Sequence, residues 1–345
     1  LQRNERSLHQ RKKRGGSSEM FRKTGIGILI LLCIFAVFMT AGCGTRNPSE
    51  QEQKKYTIGV LVKAMNSQHW MEMRSGIQDA ALRYQADIIL LYPEDETKIE
   101  QQRIMFYDLL ESEPDAILFA PCDSDHCKDL IERAEEKNIK VFALDTRARD
   151  VELAYIGADN YRIGQLAAQQ FNRLLKAGDQ IGVITGVKTQ MSHIERVQGF
   201  LDQIEKDGRL KVEQIRYADS DFKQSMRETA ALLTEYPSLA GIFCTSAVMG
   251  LGAMEECRAE FLSYNIDIIA VDTQDDALSA VRNGMIQGLV TQDGYEVGYK
   301  AVETAVKSLS GQSVPMNTYV DTKMLTRINI DEFMNNYLER GGEND

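Results

Sequence analysis

Several polar residues stand directly after short apolar runs. Lys63, Ser67, His69 and Trp70 follow 57–62, and Asp145, Thr146 and Arg147 follow 139–144. Ser246 follows 240–245, Asp272 follows 266–271, and Gln292 follows the run beginning at 286. Carboxylates accept hydrogen bonds, ammonium and guanidinium groups donate them, amides do both, and an aromatic face covers apolar surface. Brought together, such groups hold a small polar molecule. The same residue types also serve structure. Asp123 and Ser124 precede a helical pattern from 128 and can cap its free N–H groups, as can Asp272 for the pattern after it. Asp145 can equally pair with Arg147 or Arg149. Catalytic patterns are missing: there is no GxSxG, P-loop, HExxH or glycine-rich dinucleotide turn. Ser192 and His193 adjoin in sequence, which does not make a dyad. Four histidines and no CxxC pair give no zinc signature and no cofactor motif.

The elements that must position these residues alternate. Apolar runs at 57–62, 87–92, 115–120 and 139–144 form one series, and those at 180–185, 212–217, 240–245, 266–271 and 286–291 form another. Near-continuous runs of five or six residues mark strands covered on both faces, as in parallel sheets. Segments 70–84, 98–110 and 164–175 carry apolar residues three and four apart, the helical spacing. Right-handed crossovers then predict an α/β fold of two doubly wound parallel-sheet lobes. The stretch 144–160 is the expected first crossing between them. In such sheets ligands gather beyond the carboxyl ends of the strands, where the polar residues above stand.

An ordered series of signatures resembles the ribose/galactose-type periplasmic sugar-binding proteins, whose fold is shared by the LacI-type repressor core. It comprises TIGVLVKAMNSQHWMEMRSGIQDAA at 57–81, Pro121-x-Asp123-Ser124-Asp125, Leu144-Asp145, and Ile156-Gly157-Ala158-Asp159-Asn160 with Gly164. Glu195-Arg196-x-x-Gly199-Phe200, Met249 to Ala253, Val271-Asp272 and Thr291-Gln292 complete it. The resemblance covers about 56–328 and implies a type I periplasmic binding protein with a multi-strand hinge, closing as a clam-shell on one sugar. It places lobe 1 at 56–158 plus 293–320 and lobe 2 at 159–292 plus 321–340. His69 and Trp70 would be the stacking pair, and Asp145, Arg196, Asp272 and Gln292 the polar frame. Alternatives are a buried anchor for Trp70 and a surface pairing of Arg196 with Glu195 or Glu205. Departures lie at Lys63, Ala120, Thr146, Ser220 and Ser246. They argue against ribose itself, because an unpartnered buried hydroxyl costs about 1–3 kcal/mol. Lys63 and Arg147 leave room for an acidic or modified sugar.

Residues 20–42 combine Arg22-Lys23, an apolar core and Thr40-Ala41-Gly42 before Cys43, the parts of a lipoprotein signal peptide with Cys43 as the lipid anchor. Residues 1–19 read as an extension upstream of a start at Met20, and 43–55 as a tether. The expected location is the outer face of the cytoplasmic membrane. Residues 1–42 hold eight of the 40 cations and two of the 51 anions, so the body carries net charge −17. That charge repels phosphate backbones and, with no helix-turn-helix, argues against a nucleic-acid partner. The expected partners are a small carbohydrate and an ABC permease, or alternatively a sensor kinase or chemoreceptor, with the protein a monomer. Cys122, Cys127, Cys244 and Cys257 read as buried thiols, with a Cys122–Cys127 disulfide as the alternative.

Overall fold

Runs such as TIGVL and AILF are rich in β-branched and apolar residues, and they form strands whose side chains are buried on both faces. The computed structural model describes residues 55–260 and 265–335. In chain order the first lobe contains β1 (Thr57–Leu61), α1 (Gln68–Tyr84), β2 (Asp87–Leu91), α2 (Ile99–Glu111), β3 (Ala116–Phe119), α3 (Lys128–Glu136), β4 (Lys140–Leu144) and β5 (Tyr155–Ala158). The second contains α4 (Asn160–Leu174), β6 (Gln180–Thr185), α5 (Met191–Asp207), β7 (Lys211–Tyr217), α6 (Phe222–Glu235) and β8 (Leu239–Cys244). It continues through α7 (Ala247–Ala259), β9 (Asp267–Val271), α8 (Asp275–Arg282) and β10 (Gly288–Val290). The chain returns to the first lobe for α9 (Gly294–Leu309) and β11 (Asn317–Val320), then crosses again to β12 (Met324–Leu325).

The first sheet has the order β2-β1-β3-β4-β5-β11, and all its pairs are parallel. The second repeats the pattern as β7-β6-β8-β9-β10-β12, with only β12 antiparallel. The chain reverses direction between β1 and β3, and again between β6 and β8. Both lobes are doubly wound, and each has a switch point at the carboxyl ends of those strands. Three segments join the lobes: 158–160, 290–294 and 320–324. Phe106, Leu109 and Phe119 fill one core of the first lobe, and Ile242, Ile268 and Leu289 one of the second. A further apolar cluster includes Ile156, Phe171, Phe200, Phe243 and Val290 and continues from one lobe into the other.

Glycines decide how closely two helix pairs approach. A Cβ at Gly164 of α4 would meet the Arg196 carbonyl oxygen at 2.0 Å, and one at Gly199 of α5 would meet that of Tyr161 at 2.0 Å. Gly76 of α1 and Gly298 of α9 face Tyr295 and Met73 in the same way. The α4–α5 contact bears on the site, because it sets where Arg196 sits.

Two sequence expectations need correction. The cap of α3 is not Asp123 or Ser124: the Asp150 carboxylate accepts from the N–H groups of Cys127 and Lys128, at 3.1 and 3.0 Å. Asp123 instead accepts from Asp125 N–H, while Ser124 Oγ accepts from Met191 N–H of the other lobe. The second departure concerns the run from 286, which forms a strand only over Gly288–Val290. Gln287 bonds to Ile268 of β9 twice, its own N–H donating to the Ile268 carbonyl at 2.8 Å and its side-chain oxygen accepting from Ile268 N–H at 2.6 Å. All four described cysteines are free and buried. Burial pushes their thiols up, to about 12 for Cys257.

Candidate ligand-binding cleft

Each strand end delivers side chains to one gap between the lobes. Nine of the eleven residues expected from sequence line it: Lys63, Ser67, His69, Trp70, Asp145, Arg196, Ser246, Asp272 and Gln292. The cavity between the lining side chains is about 40 Å³, far below the roughly 300–1,000 Å³ of small-molecule sites, so the lobes must part to admit a ligand. Lys63 follows β1, Asp145 follows β4, Asp272 follows β9, and Gln292 stands on a segment joining the lobes. Asp145 and Asp272 have left-handed backbones, with φ of 60° and 83°. That conformation costs an aspartate of order 1 kcal/mol or more, and it clusters where function over-determines geometry.

A connected network orders these groups. Arg196 donates from Nε to Asn160 Oδ1 at 2.9 Å, from Nη1 to the Thr245 carbonyl at 2.8 Å and from Nη2 to Gln292 Oε1 at 2.8 Å. With its oxygen so held, Gln292 turns its amide nitrogen toward Asp145 Oδ1 and Asp272 Oδ1, each at 3.3 Å. His69 Nε2 lies 3.1 Å from Asp145 Oδ1. The Lys63 ammonium contacts Asp145 Oδ2 at 3.3 Å, Thr146 Oγ1 at 2.9 Å, Gln190 Oε1 at 3.2 Å and Ser192 Oγ at 3.4 Å. Thus Lys63 ties its own lobe to the opposite one.

The electrostatics follow. Burial alone would raise the Asp145 carboxyl, but Lys63, His69 and Arg196 together hold it well below the usual carboxylate range. Burial lowers His69, yet Asp145 and Asp272 outweigh it and the ring is held above its ordinary value. His193 is pushed well below its ordinary value by burial and by the cations of Lys63 and Arg196, so its ring is neutral.

Two expected residues are not in the lining. Thr146 is fully buried behind the lysine–aspartate pair, donating to Asp145 Oδ2 at 2.9 Å. Arg147 turns away altogether. Its guanidinium lies 3.8 Å from the Tyr155 ring centroid and bonds to Asn317 Oδ1 at 2.8 Å and Tyr319 Oη at 3.1 Å. The positive φ of Asp145 breaks strand alternation, so Arg147 does not share the face of Asp145. Asp145 therefore pairs with Lys63 and His69 rather than with the nearby arginines.

The lining also includes Asn66, Glu96, Ser192, His193, Ser220 and Val248. Glu96 stands in the loop after β2, within reach of the strand-end rule, but nothing sets it apart from the other acidic residues of PEDET. Trp70 is 3% exposed. Its indole N–H donates to Glu96 Oε1 at 3.3 Å, and its ring meets His69 edge-on with centroids 5.1 Å apart. Among the described residues no group of three or more His, Cys, Asp or Glu is arranged to hold a metal, and no helix is long and apolar enough to cross a membrane. Cys43 and the segments before residue 55 lie outside the described residues.

The periplasmic binding protein domain family matches residues 58–313. The ribose import binding protein RbsB of Escherichia coli K12 is 25% identical over 293 residues, which is 85% of this chain and 98% of that protein. A solute-binding protein of an ABC transporter from Agrobacterium vitis, solved with bound D-fucose, is 29% identical with a TM-score of 0.76, covering 80% of this chain and 97% of that one. A solved XylFII–LytSN complex contains a chain that is 25% identical with a TM-score of 0.74, covering 79% and 98% respectively.

Proposed function

We propose, because the chain belongs to the periplasmic binding protein domain family, that its two lobes close on one small carbohydrate and present it to an ABC permease. The observation that carries this reading is the single cleft shared by both lobes, in which Asp145, Arg196, Asp272 and Gln292 form one hydrogen-bonded frame beside Trp70. A sugar presents an apolar ring face and a fringe of hydroxyls. The indole and imidazole suit the first, and carboxylates and amide suit the second. The relatives named above as ribose- and fucose-binding support the ligand class. The geometry removes support from an acidic sugar: Lys63 spends its protons on protein acceptors, and Arg147 faces away from the cleft. In this reading a lipidated Cys43 holds the monomeric protein at the outer face of the cytoplasmic membrane.

A second role for the same closure is signalling to a membrane sensor; the similar XylFII chain is found in complex with a second protein, LytSN. The ligand class is tested by thermal shift of the purified protein against pentoses, hexoses, polyols and amino sugars. A ligand at a hundred times its Kd adds about 2.7 kcal/mol, a clear rise in Tm. Silence across the whole panel removes the carbohydrate reading. Pull-down of a permease, or of a sensor ectodomain, with the ligand-loaded protein separates the two roles.

A further inference from the structure

One end of the cleft is built differently from the rest. There Glu96 of the first lobe meets Ser220 and His193 of the second. Glu96 Oε2 accepts from Ser220 Oγ at 3.1 Å, and the same hydroxyl lies 3.3 Å from His193 Nε2. His193 Nδ1 in turn lies 2.8 Å from Thr245 Oγ1. The other carboxylate oxygen, Oε1, accepts from the Trp70 indole N–H at 3.3 Å. The hydrogen-bond donors given to Glu96, an indole and a hydroxyl, are therefore both neutral.

No lysine or arginine forms an ion pair with Glu96 among the described residues. The only ion-pair partner of Glu96 among the described residues is His193, at 4.0 Å, and burial with two neighbouring cations keeps that ring neutral. Lys63 is nearby, 5.3 Å from the Trp70 ring centroid, but its ammonium is engaged by Asp145, Thr146, Gln190 and Ser192. The Glu96 side chain is 11% exposed. Because Ser220 and His193 belong to the opposite lobe, closure is what removes water from this carboxylate. Burying an uncompensated carboxylate is costly unless a positive, hydrogen-bonding partner arrives with it.

We propose that Glu96, with Ser220 and His193, recognises an amine on the ligand, so that the preferred substrate class is amino sugars or aminocyclitols rather than their neutral parents. This rests on the carbohydrate reading above and narrows it. An ammonium group donates to the Glu96 carboxylate and cancels its charge, which the neutral donors of Trp70 and Ser220 do not, while the ring lies by Trp70 and the remaining hydroxyls meet Asp145, Asp272 and Gln292.

The test is isothermal titration of the full protein with amino-deoxy hexoses substituted at C2, C3 or C4 and with aminocyclitols, each paired with its hydroxyl parent. At least one amine is expected to bind ten-fold or more tighter than its parent. In Glu96→Gln that ratio falls toward one, and in Glu96→Asp, which keeps the charge, it stays above the Gln value. Circular dichroism melts check that both variants fold, and the ratio is read within each variant, so a general loss of affinity does not imitate the result. Parents that bind as tightly as every amine overturn the proposal and leave the carbohydrate reading standing. A ratio that survives Glu96→Gln also overturns it. Binding of neither class overturns both.

Discussion

Replacing Lys63 with methionine isolates the energetics of the cleft. The ammonium is 3% exposed and is the strongest cationic influence on Asp145, which is equally buried. Methionine keeps the stem's bulk and removes the charge, leaving the Asp145 carboxylate in the interior with only His69 and the more distant Arg196 to offset it. Removing one partner of a buried pair typically costs about 3–5 kcal/mol, which for a protein of this size lowers Tm on the order of 10 °C. The pH dependence has a definite sign. In the native protein the folded carboxyl lies well below its unfolded value of about 3.9, so its stabilisation is complete above that value and is lost only as pH falls through the lower folded one. In Lys63→Met the folded value rises and the group protonates more easily. The stability gap between the two proteins is therefore widest near neutrality and narrows as pH falls toward about 4. Urea unfolding from pH 4 to 8 measures it, and the double variant Lys63→Met/Asp145→Asn should recover much of the loss. A gap below about 1 kcal/mol at pH 7, a gap independent of pH, or a double variant no better than the single one would refute the account of the pair.

Three further outcomes are expected. Trp70 is the only tryptophan and lines the cleft, so a ligand identified by thermal shift should change the protein's indole emission; an unchanged spectrum at saturation contradicts a ring seated beside it. Asp272→Gly relieves a backbone held at φ 83°, so stability should hold or rise by up to about 1 kcal/mol while ligand affinity drops ten-fold or more; a clear loss of stability counts against the strain. Gln68→Ala deletes a reciprocal cross-lobe pair, Asp275 N–H to Gln68 Oε1 at 2.8 Å and Gln68 Nε2 to Asp275 Oδ1 at 3.0 Å. Small-angle scattering should then report a larger radius of gyration without ligand, and an unchanged radius dismisses the pair as a latch.

The sheets were legible because their strands are covered on both faces, so each reads as an unbroken apolar run such as TIGVL or DIIAV, and the helices between them keep their own period. Gly164 and Gly199 stood out as parts of a pattern. Only the structure gives the reason, which is a helix pair too close for a Cβ. The polar frame was legible through position, since Asp145, Asp272 and Gln292 follow strands directly. What failed was orientation. A left-handed residue at Asp145 reverses the alternation that would have sent Arg147 into the cleft, and no periodicity in one sequence announces a positive φ at an aspartate. Glu96 escaped for a related reason: its role comes from Ser220 and His193 across the gap, well over ninety residues away in sequence.

Polarity at the contact between the lobes bears on how the cleft works. Ser124 bonds to Thr189 and Met191, Lys63 to Gln190 and Ser192, Gln68 to Asp275, and Glu96 to Ser220. Every one of these groups is satisfied by water when the lobes part, so each contact adds only about 0.5–1.5 kcal/mol net to closure. The buried Gln190 amide nitrogen is left with no partner at all, and such an orphan costs about 1–3 kcal/mol. Taken together these contacts outweigh that single cost by a few kcal/mol, so the protein's own contacts lean toward the closed form. The apolar cluster shared by the lobes includes residues from the joining strands, such as Ile156 and Val290, so it can hold the hinge together without itself favouring closure. What occupies the cleft adds to that lean. A molecule that bonds Asp145 on one side and Asp272 on the other, with Gln292 between them, is the kind of partner able to shift the equilibrium further.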